Sequence, residues 1–511
     1  VASDDNFQPN LRLHGLSWLF TLSGGIKQMV LPLIALAFIN TRNEVPGLFG
    51  PWIVPIILAA LLIRALWVQL TYRYGFSATG LVIRQGLIFR NVRHIEYARI
   101  ENIDTERGLL HRLFDVAEVR VQTSTGGKPE ASIQVLDLGA VQQMRDRIFP
   151  AREAAQQVSA TGDERLLLHL PADELVRLGL IDNRGMIVVA AALGALHESG
   201  ALVIDQVLLQ RLLESSPAAG LATLGVAMQI ALAAFLFLAA TLALRILSIV
   251  VAIVTFHDFK LTRSGGDLRA RYGLLTRVAL TLRTRRIQAV HQTESLLHRW
   301  LNRASIDVDL AGDSGGTERN GNDARMTTRW LAPICPVEMA PGLIAAALPT
   351  LDWKTEPDWQ PLARRARGRI FRKTLAWATL IVTAPGIWYL RESAALIIAG
   401  CILLAWMHAH FYVKYTRWAL TADAVLFRSG WLLRRLTIVP RDRVQTVSVE
   451  ASPFDRHSGM ACVYVDTAGA GPRSVGIRIC YLAADVAERL AAALYATAGA
   501  RTPASRTPAL D

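Results

Sequence analysis

Long apolar runs alternate with mixed polar stretches along the chain, and the runs fall into three pairs. A helix that crosses a bilayer needs about 20 mostly apolar residues. Six segments approach that length: Gly24–Ile39 with Leu48–Leu70, Met186–Ile204 with Ala218–Val254, and Thr374–Leu390 with Ser393–Phe411. His197 and Glu198 interrupt the third of these, so whether it spans fully stays open. The segment from Ala218 is too long for one crossing, which predicts a helix end projecting beyond the membrane. Leu11–Ser23 reads as an interfacial amphipathic helix, leaving Lys27 to snorkel from the first turn of the span. Arg64 and Arg245 lie near the ends of the second helices of their pairs. Snorkelling or a protruding helix end accounts for them, with an ion pathway as the competing reading.

After each pair the pattern changes to short stretches of period two, and these stretches repeat. Arg84-Gln85-Gly86, Arg271-Tyr272-Gly273 and Arg428-Ser429-Gly430 anchor the three copies. An arginine then opens Arg99-Ile100-Glu101-Asn102-Ile103, Arg286-Ile287-Gln288-Ala289-Val290 and Arg443-Val444-Gln445-Thr446-Val447, at one fixed distance from the glycine. A further arginine follows at Arg112, Arg299 and Arg456, and then an alternating strand at Val119-Arg120-Val121, Ile306-Asp307-Val308 and Val463-Tyr464-Val465. Alternation of this kind buries one face of a strand and exposes the other. The glycine suits a hairpin turn or bulge. A helix closes each unit, clearest over Ala483–Tyr495, where Val486, Leu490 and Leu494 recur every four residues. The second copy carries a polar insertion, Gly312–Thr328, which reads as a loop.

These residues resemble a known family. The Arg-Ile-Gln-x-Val run, the Leu-Leu-His-Arg motifs at Leu109–Phe114 and Leu296–Leu301, and the Val-x-Val strand are similar to bacterial PH domains of the YdbS/YdbT type of membrane protein. Arg12-Leu13-His14 and the paired spans resemble the three-domain members. The resemblance implies membrane α-helical hairpins plus three PH-like β domains, each a bent antiparallel sheet with a C-terminal helix. It implies the following division: 11–71, interfacial helix and first transmembrane pair; 72–150, PH-like domain 1; 164–256, second pair; 257–349, domain 2; 361–412, third pair; 413–496, domain 3; 498–511, a disordered tail. The third copy departs from the motif at Ser452-Pro453-Phe454, and the first has Glu101 where the others have glutamine.

Charge orients this arrangement. The formal net charge is +13, and it gathers next to apolar spans, which fits an anionic lipid surface rather than nucleic acid. The connections within the pairs carry little net positive charge, whereas Arg364, Arg365, Arg367, Arg369, Arg372 and Lys373 crowd the approach to the fifth span. Positive flanks stay cytoplasmic. The expectation is a multi-pass protein of the bacterial cytoplasmic (inner) membrane, with both termini and all three domains cytoplasmic. Its partners would be anionic lipids, protein partners or further copies of itself.

Candidate chemistry is sparse. Gly312-Asp313-Ser314-Gly315-Gly316 matches the string around a serine-protease nucleophile, but it lies in an insertion absent from the sister copies and lacks the strand-turn-helix context. Asp307, Asp309 and Asp313 begin like a calcium loop without its closing glutamate. His408 and His410 stand two apart and point to different helix faces. Cys335, Cys401, Cys462 and Cys480 give neither a disulfide framework nor a zinc pattern. No cofactor, metal or catalytic residue is expected. The repeated arginines Arg99, Arg286 and Arg443, with Arg112, Arg299 and Arg456, are either structural ion pairs or contacts to lipid phosphates or an acidic partner. A non-enzymatic scaffold leads; a transporter or channel component is the alternative, and a membrane serine protease the third reading. Reporter fusions at Gly127, Gly316 and Gly469 should all report the cytoplasmic side; periplasmic activity at any one would break the three-hairpin scheme.

Overall fold

A computed structural model describes residues 10–26, 53–86, 90–123, 131–148, 165–182, 226–311, 329–352, 356–380, 394–467 and 476–499, with positions 29, 185–186 and 189 beside them. The expected spans Gly24–Ile39 and Met186–Ile204, the second half of Thr374–Leu390, the Gly312–Thr328 insertion with Ser314, and the end of the tail lie largely or wholly outside those residues.

The first repeat consists of β1 (Leu11–Arg12), α1 (Ile53–Thr71), β2 (Arg73–Phe76), β3 (Gly80–Gln85), β4 (Asn91–Glu96), β5 (Ile100–Arg107), α2 (Leu109–Leu113), β6 (Val116–Thr123), β7 (Ala131–Asp137) and α3 (Leu138–Ile148). The second has β8 (Arg165–His169), α4 (Ala172–Ile181), α5 (Val226–Phe256), β9 (Lys260–Ser264), β10 (Asp267–Tyr272), β11 (Arg277–Arg283), β12 (Ile287–Glu294), α6 (Leu296–Trp300), β13 (Arg303–Leu310), β14 (Arg329–Pro336) and α7 (Ala340–Ala347). The third has β15 (Gln360–Pro361), α8 (Ala366–Ala378), α9 (Ala394–Tyr415), β16 (Arg417–Leu420), β17 (Ala424–Ser429), β18 (Arg434–Pro440), β19 (Val444–Glu450), α10 (Pro453–His457), β20 (Met460–Thr467), β21 (Ile477–Ala483) and α11 (Ala484–Gly499). Each repeat is therefore a four-stranded and a three-stranded antiparallel group joined by a short 3-10 turn and closed by a helix. This is the bent sheet of a PH-like domain.

The opening strand of each domain lies before its membrane hairpin. Leu11 pairs with Tyr74, Leu168 with Leu261, and Gln360 with Trp418. Two residues further on, Leu13, Leu170 and Leu362 are all buried in the core of their own domain. This corrects the reading of Leu11–Ser23 as one interfacial helix: Leu11 and Arg12 are a strand, and helix occupies 17–26. A two-residue edge strand has too few positions for alternation to show, so the neighbouring apolar residues dominated the pattern.

Among the described residues, α5 and α9 each contain a stretch long and apolar enough to cross a membrane, and α1 is a shorter apolar helix. At 1.5 Å per residue, the 31 residues of α5 span roughly 46 Å, more than the hydrocarbon core. Its far end becomes domain core. Ala252 and Phe256 are buried, and Phe256 packs on Tyr272 with ring centroids 5.4 Å apart. Arg245 donates to the Leu180 carbonyl at the end of α4, 3.0 Å away. Helix α11 buries Leu490 and Leu494 against β19 to β21.

The anchoring glycines sit in the turns that lead into β4, β11 and β18, with left-handed backbone, φ +87° at Gly86, +111° at Gly273 and +83° at Gly430. A Cβ at Gly273 would lie 2.0 Å from the Thr276 carbonyl oxygen, and one at Gly430 2.0 Å from that of Leu433. A second left-handed position follows each short helix, filled by Asp115, Asn302 and Gly459, residue types that tolerate it. Cys462 and Cys480, which sequence spacing did not pair, form a disulfide between β20 and β21. Gly273→Ala should destabilise the protein by ~2 kcal/mol or more from backbone strain and the carbonyl clash. Its thermal midpoint in detergent should fall while the exposed Gly266→Ala, which meets nothing within 4 Å, leaves it nearly unchanged.

Candidate functional site

The three domains share sheets. Strand β5 of the first domain pairs with β11 of the second, and β12 of the second pairs with β18 of the third. In one seam Arg107, Glu106 and Thr105 oppose Arg277, Val278 and Ala279. In the other Glu294, Thr293 and Gln292 oppose Arg434, Arg435 and Leu436. Counted from the anchoring glycines these are equivalent positions, so both seams use one register. The second seam is also tied by side chains. Buried His291 bonds Thr437 Oγ1 across the seam at 3.1 Å, and its other nitrogen bonds Asp309 Oδ2 at 2.8 Å. Arg435 approaches Asp307 at 3.7 Å. Burial pushes the Asp307 carboxyl up, with His291 and Arg435 opposing. Asp307 and Asp309 thus belong to a seam network.

The second set of repeated arginines closes the seams. Arg112 donates through Nη1 to the Leu274 carbonyl at 3.1 Å, and Arg299 through Nη2 to the Trp431 carbonyl at 2.8 Å. Leu274 and Trp431 each follow the anchoring glycine of the next domain. The same turns touch the membrane helices. The Gly273 and Leu274 amides donate to the His257 and Val254 carbonyls at the end of α5, which a helix terminus otherwise leaves unpaired. Trp431 Nε1 donates to His408 Nδ1 on α9 at 3.1 Å. Each seam therefore joins a preceding domain, a hairpin turn and a membrane helix. Arg456 holds the equivalent position in the third domain and is exposed.

The first set of arginines occupies the turn between the two strand groups. Arg99 ends the 3-10 turn Tyr97–Arg99 and pairs with Glu96 at 3.1 Å, both well exposed. Arg443 ends Arg441–Arg443 and lies 3.5 Å from Asp442. Arg286 ends Thr284–Arg286 and is half-buried. Exposed ion pairs of this kind contribute little, about 0–1 kcal/mol. On the outer face of β10 and β11, Arg269 opposes Thr281 and Arg271 opposes Ala279, with Arg277 at the seam beside Arg107. Arg271 and Arg277 are exposed. Further along the same strand and turn, Arg283 is buried and Arg285 exposed.

The basic run before the fifth span is split. Arg364, Arg365, Arg367, Arg372 and Lys373 are exposed along α8 and just before it. Arg369 instead turns to the domain, pairing with Asp455 at 3.0 Å and lying over the Phe454 ring. The equivalent place in the first domain is a ring contact, Phe20 on His111 at 4.2 Å. In the second domain Arg303 grips Glu174 of α4 through two bonds of 2.9 and 2.7 Å, and Arg177 also pairs with Glu174. Burial would raise the Glu174 carboxyl, but Arg303 and Arg177 hold it below the usual range. Sequence reasoning missed these contacts because each docks the same helix by a different chemistry. Among the described residues no group of three or more His, Cys, Asp or Glu is arranged to hold a metal.

A membrane-anchored chain of edge-joined PH-like domains is the class this geometry defines. The bacterial PH domain family model matches residues 28–152, 217–333 and 373–498, most of the chain, and the protein belongs to that family. It is similar to the UPF0699 transmembrane protein YdbT of Bacillus subtilis (strain 168), 21% identical over 458 residues that cover 85% of this chain and 87% of that protein. No solved structure matches it. Arg299→Ala should loosen the second seam by roughly 1.5–3 kcal/mol, the range for a hydrogen bond to a charged group, and Arg112→Ala the first by less because Arg112 is exposed. Amide exchange should quicken in β18 for the one and β11 for the other; unchanged exchange in both would remove the arginines from the seams.

Proposed function

We propose that the protein is a non-enzymatic scaffold of the bacterial inner membrane, with three cytoplasmic PH-like domains that present one surface to proteins or lipid headgroups. The observation that supports this most is the arginine face at the first seam. Arg269, Arg271 and Arg277 lie on one side of the shared sheet, with Arg107 across the seam. Guanidinium groups gathered at sheet spacing suit phosphate or carboxylate groups, which accept their paired N–H donors. The exposed part of the α8 run adds charge next to a membrane span, worth about 1 kcal/mol per residue at an anionic surface. A transporter or channel component remains the second class, since Arg64 is exposed on α1.

Full-length protein in zwitterionic nanodiscs, mixed with anionic vesicles across a salt series, tests the reading. Capture by flotation should weaken as salt rises. Arg271→Gln with Arg277→Gln should abolish most of it, and Arg99→Gln, Arg286→Gln and Arg443→Gln should change it little. Capture unaffected by the Arg271/Arg277 pair would assign lipid binding elsewhere; capture lost with Arg99, Arg286 and Arg443 would move the headgroup site to the 3-10 turns.

A further inference from the structure

Two seams of one register leave two matching edges. Strand β4 is the first domain's counterpart of β11 and β18, and strand β19 is the third domain's counterpart of β5 and β12. Among the described residues β4 pairs only with β3, and β19 only with β20, so each is the end of its sheet. Burial follows the pairing. Val290 and Ile438, opposite each other in the second seam, are 0% and 1% exposed. At the free edges five of the six β4 residues and five of the seven β19 residues are exposed. An open sheet edge offers unpaired N–H and C=O groups to another chain, and proteins commonly blunt such edges with lysine, proline or bulges. Strand β19, Val444–Glu450, carries no lysine, arginine or proline, and its one charge is its last residue.

We infer that β19 of one copy pairs with β4 of a second copy, continuing the internal repeat head-to-tail. Carrying the seam register across the boundary sets Glu450 opposite Asn91, Val449 opposite Val92, Ser448 opposite Arg93 and Val447 opposite His94. Directly opposed residues share a face. One face of the junction would therefore hold Val449, Val92 and Val447 with His94 at its end, and the other Glu450 diagonal to Arg93. The apolar face accounts for two valines that are otherwise out of place, Val92 at 49% and Val449 at 41% exposure. Arg456, exposed at the clasp position of Arg112 and Arg299, would reach the incoming copy as those two reach the next domain.

The bilayer is compatible with this step. Each domain receives its hairpin between its first and second strands, and the first-to-second and second-to-third steps are alike. A third step of the same kind keeps the hairpins of the next copy on the same membrane. A heterologous contact of this type closes into a ring or extends as a row, depending on the rotation per step. The inference stands apart from the ligand of the arginine face, because it involves different strands.

Val92→Cys and Val449→Cys, placed in separate full-length chains with different tags and co-expressed, test the register in membranes. Oxidation should give a mixed disulfide dimer, with little product when either variant is expressed alone. Full-length wild-type protein in nanodiscs or detergent should show species larger than one chain by native mass. Val92→Lys, Val449→Lys and Arg456→Ala should each reduce them, with the melting temperature held, since these side chains are exposed. Absence of the mixed dimer would overturn the inference, and so would same-variant dimers formed as readily as the mixed one. A single-chain mass for the wild type would do the same.

Discussion

The arrangement depends on the hydrogen-bonding edge of a β-sheet. A strand that ends a sheet leaves a row of backbone donors and acceptors whose burial without partners is costly, so the edge must be covered, blunted or paired. In this protein the edge left by the second strand group of one domain is paired with the edge left by the first strand group of the next. That solution turns three small domains into two seven-stranded sheets, flanked by a four-stranded sheet at one end and a three-stranded one at the other. Domain order, spacing and the direction of the array follow from that pairing.

The membrane helices are tied into the same array. Because the apolar segments of each repeat lie between its first and second strands, the chain leaves for them and returns from them at one sheet. The end of α5 is buried in its domain, and its terminal carbonyls are capped by the turn that also accepts Arg112. Displacement of that helix would therefore strain the turn and the seam together. Coupling of this kind requires packed contacts with discrete arrangements, and buried Phe256 and the hydrogen-bonded turn supply them. The membrane span, the domain core and the neighbouring domain form one mechanical path through Leu274.

Repetition has preserved backbone roles and let side-chain chemistry diverge. The helix that leads towards the membrane docks through Phe20 and His111 in the first domain, Glu174 and Arg303 in the second, and Arg369 and Asp455 in the third. A tilted ring pair and a partly buried ion pair can hold the same geometry, but they answer differently to salt. The outer arginine face is likewise strongest in the second domain. The copies therefore share one backbone plan and carry unequal surfaces.

The sequence by itself determined the local content of this protein: apolar runs of membrane length, the three copies, their glycine turns, and the alternating strands and closing helix. Those features are set by residue periodicity, by the steric freedom of glycine at positive φ, and by the cost of charge in hydrocarbon. The fixed spacing of Arg112, Arg299 and Arg456 was visible too, but not their acceptors, because a backbone carbonyl leaves no mark on the sequence. Only the tertiary structure decided that Leu11–Arg12, Arg165–His169 and Gln360–Pro361 belong to sheets completed beyond the hairpins. It alone placed Arg107 beside Arg277 and Glu294 beside Arg434. Those pairings join segments far apart in the chain through main-chain groups common to every residue, so no side-chain pattern could have specified them.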